Sequence, residues 1–241
     1  QIGPGIRICV LGGTAFRGPD SEALTAGLAA QLDAALSASA VFITGGMAGV
    51  QETFAKHCPN AKVFNLLQIG GSSGYGVGVD LEAGESLDER KKIFGQIGDI
   101  YITVEGGPGV SQEASTAHAR GAAVVPVMRT GGASSGDFDF PQGALQKPRY
   151  STEEQWALLA STDSAVDESA TAASRLVAMH ELKSTLGCDA HIVCVLGGTE
   201  FRNTDSEALV KAMAEKLDAA MGPKTKFVTG GMAGVQECFA R

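Results

Sequence analysis

The sequence contains a single Trp and few aromatics (6%), and it has no uninterrupted apolar run near the ~18–20 residues that a membrane-spanning helix requires. No membrane partner is expected on that ground. Runs of more than three Lys or Arg are also absent, and 19 basic residues stand against 27 acidic ones, for a formal net charge of −8. Binding along a phosphate polymer takes clustered cations, so nucleic acid is not an expected partner. Cysteine is sparse and odd in number (Cys9, Cys58, Cys188, Cys194, Cys238), with no Cys-x-x-Cys spacing. This counts against a disulfide framework and against a zinc site, and makes a reducing compartment the default. No metal and no resident cofactor are expected. The chain lacks both G-x-G-x-x-G and G-x-x-x-x-G-K-[ST], which argues against ordinary dinucleotide dehydrogenases and P-loop NTPases. Its first residues, Gln1-Ile2-Gly3-Pro4-Gly5, show no signal-peptide pattern. A cytoplasmic location is expected, with an organelle left open because any leader would lie outside this sequence.

Glycine, by contrast, is abundant: 32 of 241 residues, about twice the usual ~7%, without the period of a collagen. Hydrophobic residues at 44% are enough for a sizeable core, and charged residues at 19% are too few for a disordered chain. The length allows one or two domains.

The strongest internal signal is a repeat. Residues 8–55 align without a gap to 193–240, with 30 identities in 48 positions. Cys9-Val10-Leu11-Gly12-Gly13-Thr14 returns as Cys194 through Thr199, and Thr44-Gly45-Gly46-Met47-Ala48-Gly49-Val50-Gln51-Glu52 returns as Thr229 through Glu237. An offset of 185 is a whole domain, not a solenoid period. The expected organisation is one complete domain over 1–187 and a partial second copy over 188–241. A lone first half exposes the faces its missing half would cover. It could dock on the first unit, complete a neighbouring chain by domain exchange, or belong to a longer tandem array.

Within one unit, short β-branched apolar runs alternate with helical patterns. Arg7–Leu11, Val41–Thr44, Lys62–Gln68, Asp99–Val104 and Ala122–Val127 read as buried strands. Leu24, Leu28, Leu32 and Leu36 recur on one helix face, with Asp20 or Ser21 as the cap. Helices are also expected over 87–98, 111–121, 152–161 and 167–185. Glycine-dense 70–84 reads as a loop over a site, and 129–150 as a long loop. Strands apolar on both faces alternating with helices predict an α/β class: a Rossmann-like, doubly wound parallel sheet flanked by helices, plus a partial repeat of its first β-α-β-α.

Three strand ends carry paired glycines ahead of a helix: Gly12-Gly13-Thr14, Gly45-Gly46-Met47, and Gly106-Gly107 followed by Gly109-Val110-Ser111. Glycine admits close backbone approach, and a helix N-terminus offers unpaired N–H groups, so the set predicts a site for a small phosphorylated ligand, a nucleotide or a pterin. Arg129, just past the fifth strand, is a second candidate anion contact. His118, five residues beyond Glu113, falls nearly opposite it on a helix and reads as structural. Trp156 reads as a core anchor, and Asp137 and Asp139 as solvated.

Glu89-Arg90-Lys91 on a helix, a strand, and then Gly106-Gly107-Pro108-Gly109-Val110-Ser111-Gln112-Glu113 resemble the LOG ("Lonely Guy") family, whose pattern is an Arg-Lys pair followed by P-G-G-x-G-T-x-x-E. The likeness covers about residues 6–130. Val125 through Ala133 is more similar to the molybdenum-cofactor carrier branch of the same superfamily. The first resemblance implies a phosphoribohydrolase that cleaves the N-glycosidic bond of a nucleoside 5′-monophosphate, with Arg90 and Glu113 catalytic and the Gly106–Ser111 turn on the phosphate. It also implies a homodimer. The second implies a non-catalytic carrier or sensor of molybdopterin or a nucleotide. Glu105 stands where the LOG pattern has Pro, and Val110 where it has Thr. These departures, with the repeat, keep a structural tandem-repeat role open as a third reading.

Overall fold

The structure is a computed structural model describing residues 2–187 and 191–241. Cys188 lies outside the described residues. Contacts divide the chain into two compact units that separate at residues 181 and 182.

The first unit runs β1 (Ile6–Gly12), α1 (Ser21–Leu36), β2 (Ala40–Thr44), α2 (Val50–Lys56), β3 (Lys62–Leu67), β4 (Val79–Glu82), α3 (Leu87–Ile97), β5 (Ile100–Val104), α4 (Pro108–Ala119), β6 (Ala123–Val127), α5 (Glu153–Ala160) and most of α6 (Val166–Leu186), whose last turn falls past the division. The six strands form one wholly parallel sheet in the order β4-β3-β2-β1-β5-β6. This is the doubly wound α/β sheet predicted from the alternation of strands and helices.

Period-two side-chain alternation builds two cores from the same strands. Ile8, Val10, Ile100 and Ile102 face one way, onto Leu24, Leu28 and Leu32 of α1, Phe54 of α2 and Leu176 of α6. Cys9, Leu11, Ile43 and Tyr101 face the other way, onto Phe94 of α3 and Ala114 and Ala117 of α4. Both faces are therefore covered, which is why the strands read as continuous apolar runs. Trp156 packs on the first cluster, half-buried. Cys9 is fully buried, and burial pushes its thiol's pKa up.

Two expectations change. The segment 70–84 is not all loop: Val79–Glu82 adds an edge strand beside β3, with Asp80 and Glu82 blunting the free edge. Asp80 also binds the hydroxyls of Ser72 and Ser73, and Asn65 donates to it from β3 at 3.0 Å, so the glycine segment is tied down. The long segment 129–150 contains three short 3₁₀ turns, at Met128–Thr130, Gly132–Ser135 and Gln142–Leu145. Asp20 occupies the N-cap position of α1 but makes no side-chain cap bond there; its carboxylate lies 3.5 Å from Arg129.

The second unit contains β7 (His191–Val195), α7 (Ser206–Ala220), β8 (Thr225–Thr229) and α8 (Val235–Ala240). β7 and β8 pair in parallel with the register of β1 and β2, shifted by the repeat offset. Among the described residues, no helix is long and apolar enough to cross a membrane.

Candidate functional site

From β1 the chain steps outward to β2, β3 and β4, then returns to the other side of β1 at β5. This reversal leaves a crevice outside the carboxyl ends of β1 and β5, where open α/β sheets place their ligands. A cavity of about 290 Å³ occupies that place. Gly12-Gly13-Thr14 from the end of β1 and Gly106 through Val110 from the end of β5 line it, together with Met47.

Arg90 and Glu113, 23 residues apart in sequence, meet at the cavity. Nη1 of Arg90 donates to Oε1 of Glu113 at 3.1 Å, and the two residues are 4% and 5% exposed. Both also line the cavity. The guanidinium lies 5.6 Å from the centroid of the Phe94 ring, one helical turn further along α3. Burial pushes the Glu113 carboxyl up to about 7, while the charges of Arg90 and Lys91 pull it back down. A carboxyl at that value exchanges its proton near neutral pH, as a general acid or base requires.

The three glycine turns have different jobs. The first and third line the cavity. Gly106 has φ +100°, outside the range L side chains favour, and a Cβ there would lie 2.6 Å from a methyl of Val110. In the second turn, Met47 lines the cavity while Gly45 and Gly46 stand behind the lining. A Cβ on Gly45 would sit 2.4 Å from Nη1 of Arg90, so this glycine makes room for the guanidinium. Ser111 is likewise buried behind the lining, and its N–H bonds Gly107 O at 3.2 Å.

Arg129 is directed away from the cavity. Its guanidinium donates to Ser164 O at 2.9 Å and Ser169 Oγ at 2.6 Å, joining the end of β6 to the connection between α5 and α6. Asp137, Asp139 and His118 are exposed, and none lines the cavity.

Gln51 and Arg17 are among the lining residues not singled out as ligand contacts from sequence. Gln51 lines the cavity, and its Oε1 accepts the N–H groups of Gly45 at 2.7 Å and Met47 at 3.3 Å, holding the second turn in shape. Its return as Gln236 in the repeat is the signal that could have found it. Arg17 lines the cavity from the loop before α1. Among the described residues, no group of three metal-ligating side chains occurs.

No protein-family model matches the sequence, and no curated protein does. Solved structures that resemble it include TM1055, a structural-genomics target, at 18% identity and TM-score 0.47, over 63% of this chain and 88% of that one. Another is the molybdenum cofactor binding protein of Rippkaea orientalis, at 20% identity and TM-score 0.43, over 50% and 74%. DNA processing protein A of Helicobacter pylori, described with a single-stranded DNA binding mode, resembles it at 17% identity and TM-score 0.40, over 50% and 64%. One fold can serve unrelated functions, so function is decided by the chemistry of the site.

Proposed function

We propose that the cavity binds a nucleoside 5′-monophosphate and hydrolyses its N-glycosidic bond. One observation carries the reading: the buried Arg90–Glu113 pair on the cavity wall, with Glu113 pushed up to about 7. A desolvated carboxyl in that range, open to the cavity, suits proton transfer to a bound ligand.

The first turn of α4, at Gly107–Val110, offers backbone N–H groups with no partner inside the helix and the positive end of its dipole. The 5′-phosphate binds there, with Lys91 nearby on the cavity wall. This places the sugar toward Glu113. The C1′–N bond breaks through an oxocarbenium-like sugar, which an adjacent carboxylate stabilises. Water supplies the new C1′–O bond. One of its protons stays on the sugar hydroxyl, and the other passes through Glu113 to the departing base nitrogen. The products are free base and ribose 5-phosphate. Arg90 holds the carboxylate in position and opposes its desolvation.

The test is incubation with a panel of nucleoside 5′-monophosphates, following free base by chromatography. Base release is expected for at least one member, with Glu113→Gln lowering the rate by at least ~10²-fold, the usual contribution of a general acid–base group. A wild-type protein that retains a panel member but releases no base overturns the hydrolytic step and leaves a binder.

A further inference from the structure

Glu105 is the least ordinary residue of the site. It is 2% exposed, carries a carboxylate, and adopts φ +53°, a left-handed conformation seldom taken by a non-glycine residue. Its backbone is clamped there. Its N–H donates to Thr130 Oγ1 at 2.8 Å, and its carbonyl accepts from Ser134 Oγ at 2.8 Å and Ser134 N–H at 3.2 Å. Backbone strain held by bonds from a later loop points to a functional requirement at this position.

The side chain shows what that requirement is. Glu105 lines the cavity beside the loop that leaves β1. The N–H of Gly18 donates to its Oε1 at 2.8 Å, and the N–H of Arg17 reaches both carboxylate oxygens, at 3.0 and 3.1 Å. In doubly wound sheets, the loop after the first strand is where a ligand's pyrophosphate meets backbone N–H groups. In this chain an internal carboxylate already occupies those groups.

We propose that Glu105 is a specificity-determining residue that limits the cavity to ligands with a single phosphate, a phosphomonoester, by filling the second anion position with its own charge. The inference rests on the nucleotide-binding reading above. A monophosphate meets only the first turn of α4. A diphosphate brings its second phosphate against a buried carboxylate whose backbone is clamped, and like charges brought together in an interface discriminate strongly.

The test compares paired mono- and diphosphates of adenosine, guanosine, cytidine and uridine by titration calorimetry, with Glu113→Gln present throughout so that the monophosphates are not turned over, wild type here referring to position 105. Wild type is measured beside Glu105→Gln, which keeps the shape and one acceptor oxygen but removes the charge. Wild type is expected to favour the monophosphate of the bound base by at least ~10-fold, and the variant to bring that ratio close to one by gaining diphosphate affinity. If Glu105→Gln does not fold, Thr130→Val, which frees the Glu105 N–H, is expected to lower the ratio in the same direction. Equal binding of mono- and diphosphate by wild type overturns the role of Glu105 alone, as does an unchanged ratio in a folded variant. Failure of every nucleotide to bind overturns this inference together with the nucleotide-binding reading on which it rests.

Discussion

Glu113 has been withdrawn from water by α3 and α4, and the consequence is a pH dependence with a definite sign. Its folded-state value, about 7, lies above the ordinary 4.5, so the folded protein holds this proton more tightly than the unfolded chain does. The stability contributed by this carboxyl is present below about pH 4.5 and is lost as the pH rises toward 7. Glu113→Gln removes the ionisation. The wild type is therefore expected to lose up to about 3 kcal/mol relative to the variant between about pH 4.5 and pH 7.5, read from urea unfolding across that range. A difference that does not change with pH would mean that the carboxyl titrates normally in the fold. The same group predicts an inflection near 7 in the pH profile of base release. Gly45 makes a second residue-scale prediction. A methyl at that position meets Nη1 of Arg90 at 2.4 Å, so Gly45→Ala is expected to displace the guanidinium. Base release should fall at least ~10-fold with stability lowered by only about 1–2 kcal/mol, because one flexible side chain can move aside. Full activity in that variant would show that the position of Arg90 is not critical.

At the scale of elements, Arg129 serves the fold. It links the end of β6 to the α5–α6 connection through several hydrogen bonds, with an ion pair to Asp20 at 3.5 Å. Arg129→Ala leaves those carbonyls without their donor and is expected to cost about 2–3 kcal/mol in urea unfolding. Ligand affinity in the folded variant should stay within about threefold, since Arg129 does not line the cavity. Sequence placed Arg129 correctly after a strand end but could not show where its side chain turns, because the accepting carbonyls lie 33 to 36 residues further on. The edge strand β4 was hidden for another reason. Val79-Asp80-Leu81-Glu82 alternates as a half-exposed strand should, but it is short and flanked by glycines, so its period is lost among turn signals. The leucine stripe of α1 was legible because every member is buried on one face.

Residues 8–55, which form the first half of the six-stranded sheet unit, return as 193–240. In the second unit Leu196 is 82% exposed and Leu209 62%, at positions whose counterparts Leu11 and Leu24 are fully buried. Lys226 stands where Val41 is buried in the first unit, so β8 is less suited than β2 to the inner sheet position. A protein cut after residue 187 is expected to bind at most about half as much of a hydrophobic dye such as ANS as the full chain, because the second unit holds these exposed leucines. Unchanged dye binding would mean that the apolar surface of the second unit is covered in solution.

The class of the fold, the positions of five of its six sheet strands along the chain, the repeat and the residues of the Arg90–Glu113 pair were legible in the sequence, because they depend on local periodicity and short motifs. Tertiary structure decided what those residues do to one another. It buried Glu113 beside Arg90, used Gly45 to make space for that arginine, and turned Arg129 toward the helices. It also delivered the Glu105 carboxylate to N–H groups of the first loop, 87 and 88 residues away. Each of these outcomes depends on which groups become neighbours after the sheet closes and water leaves, a pairing that no local stretch of sequence encodes.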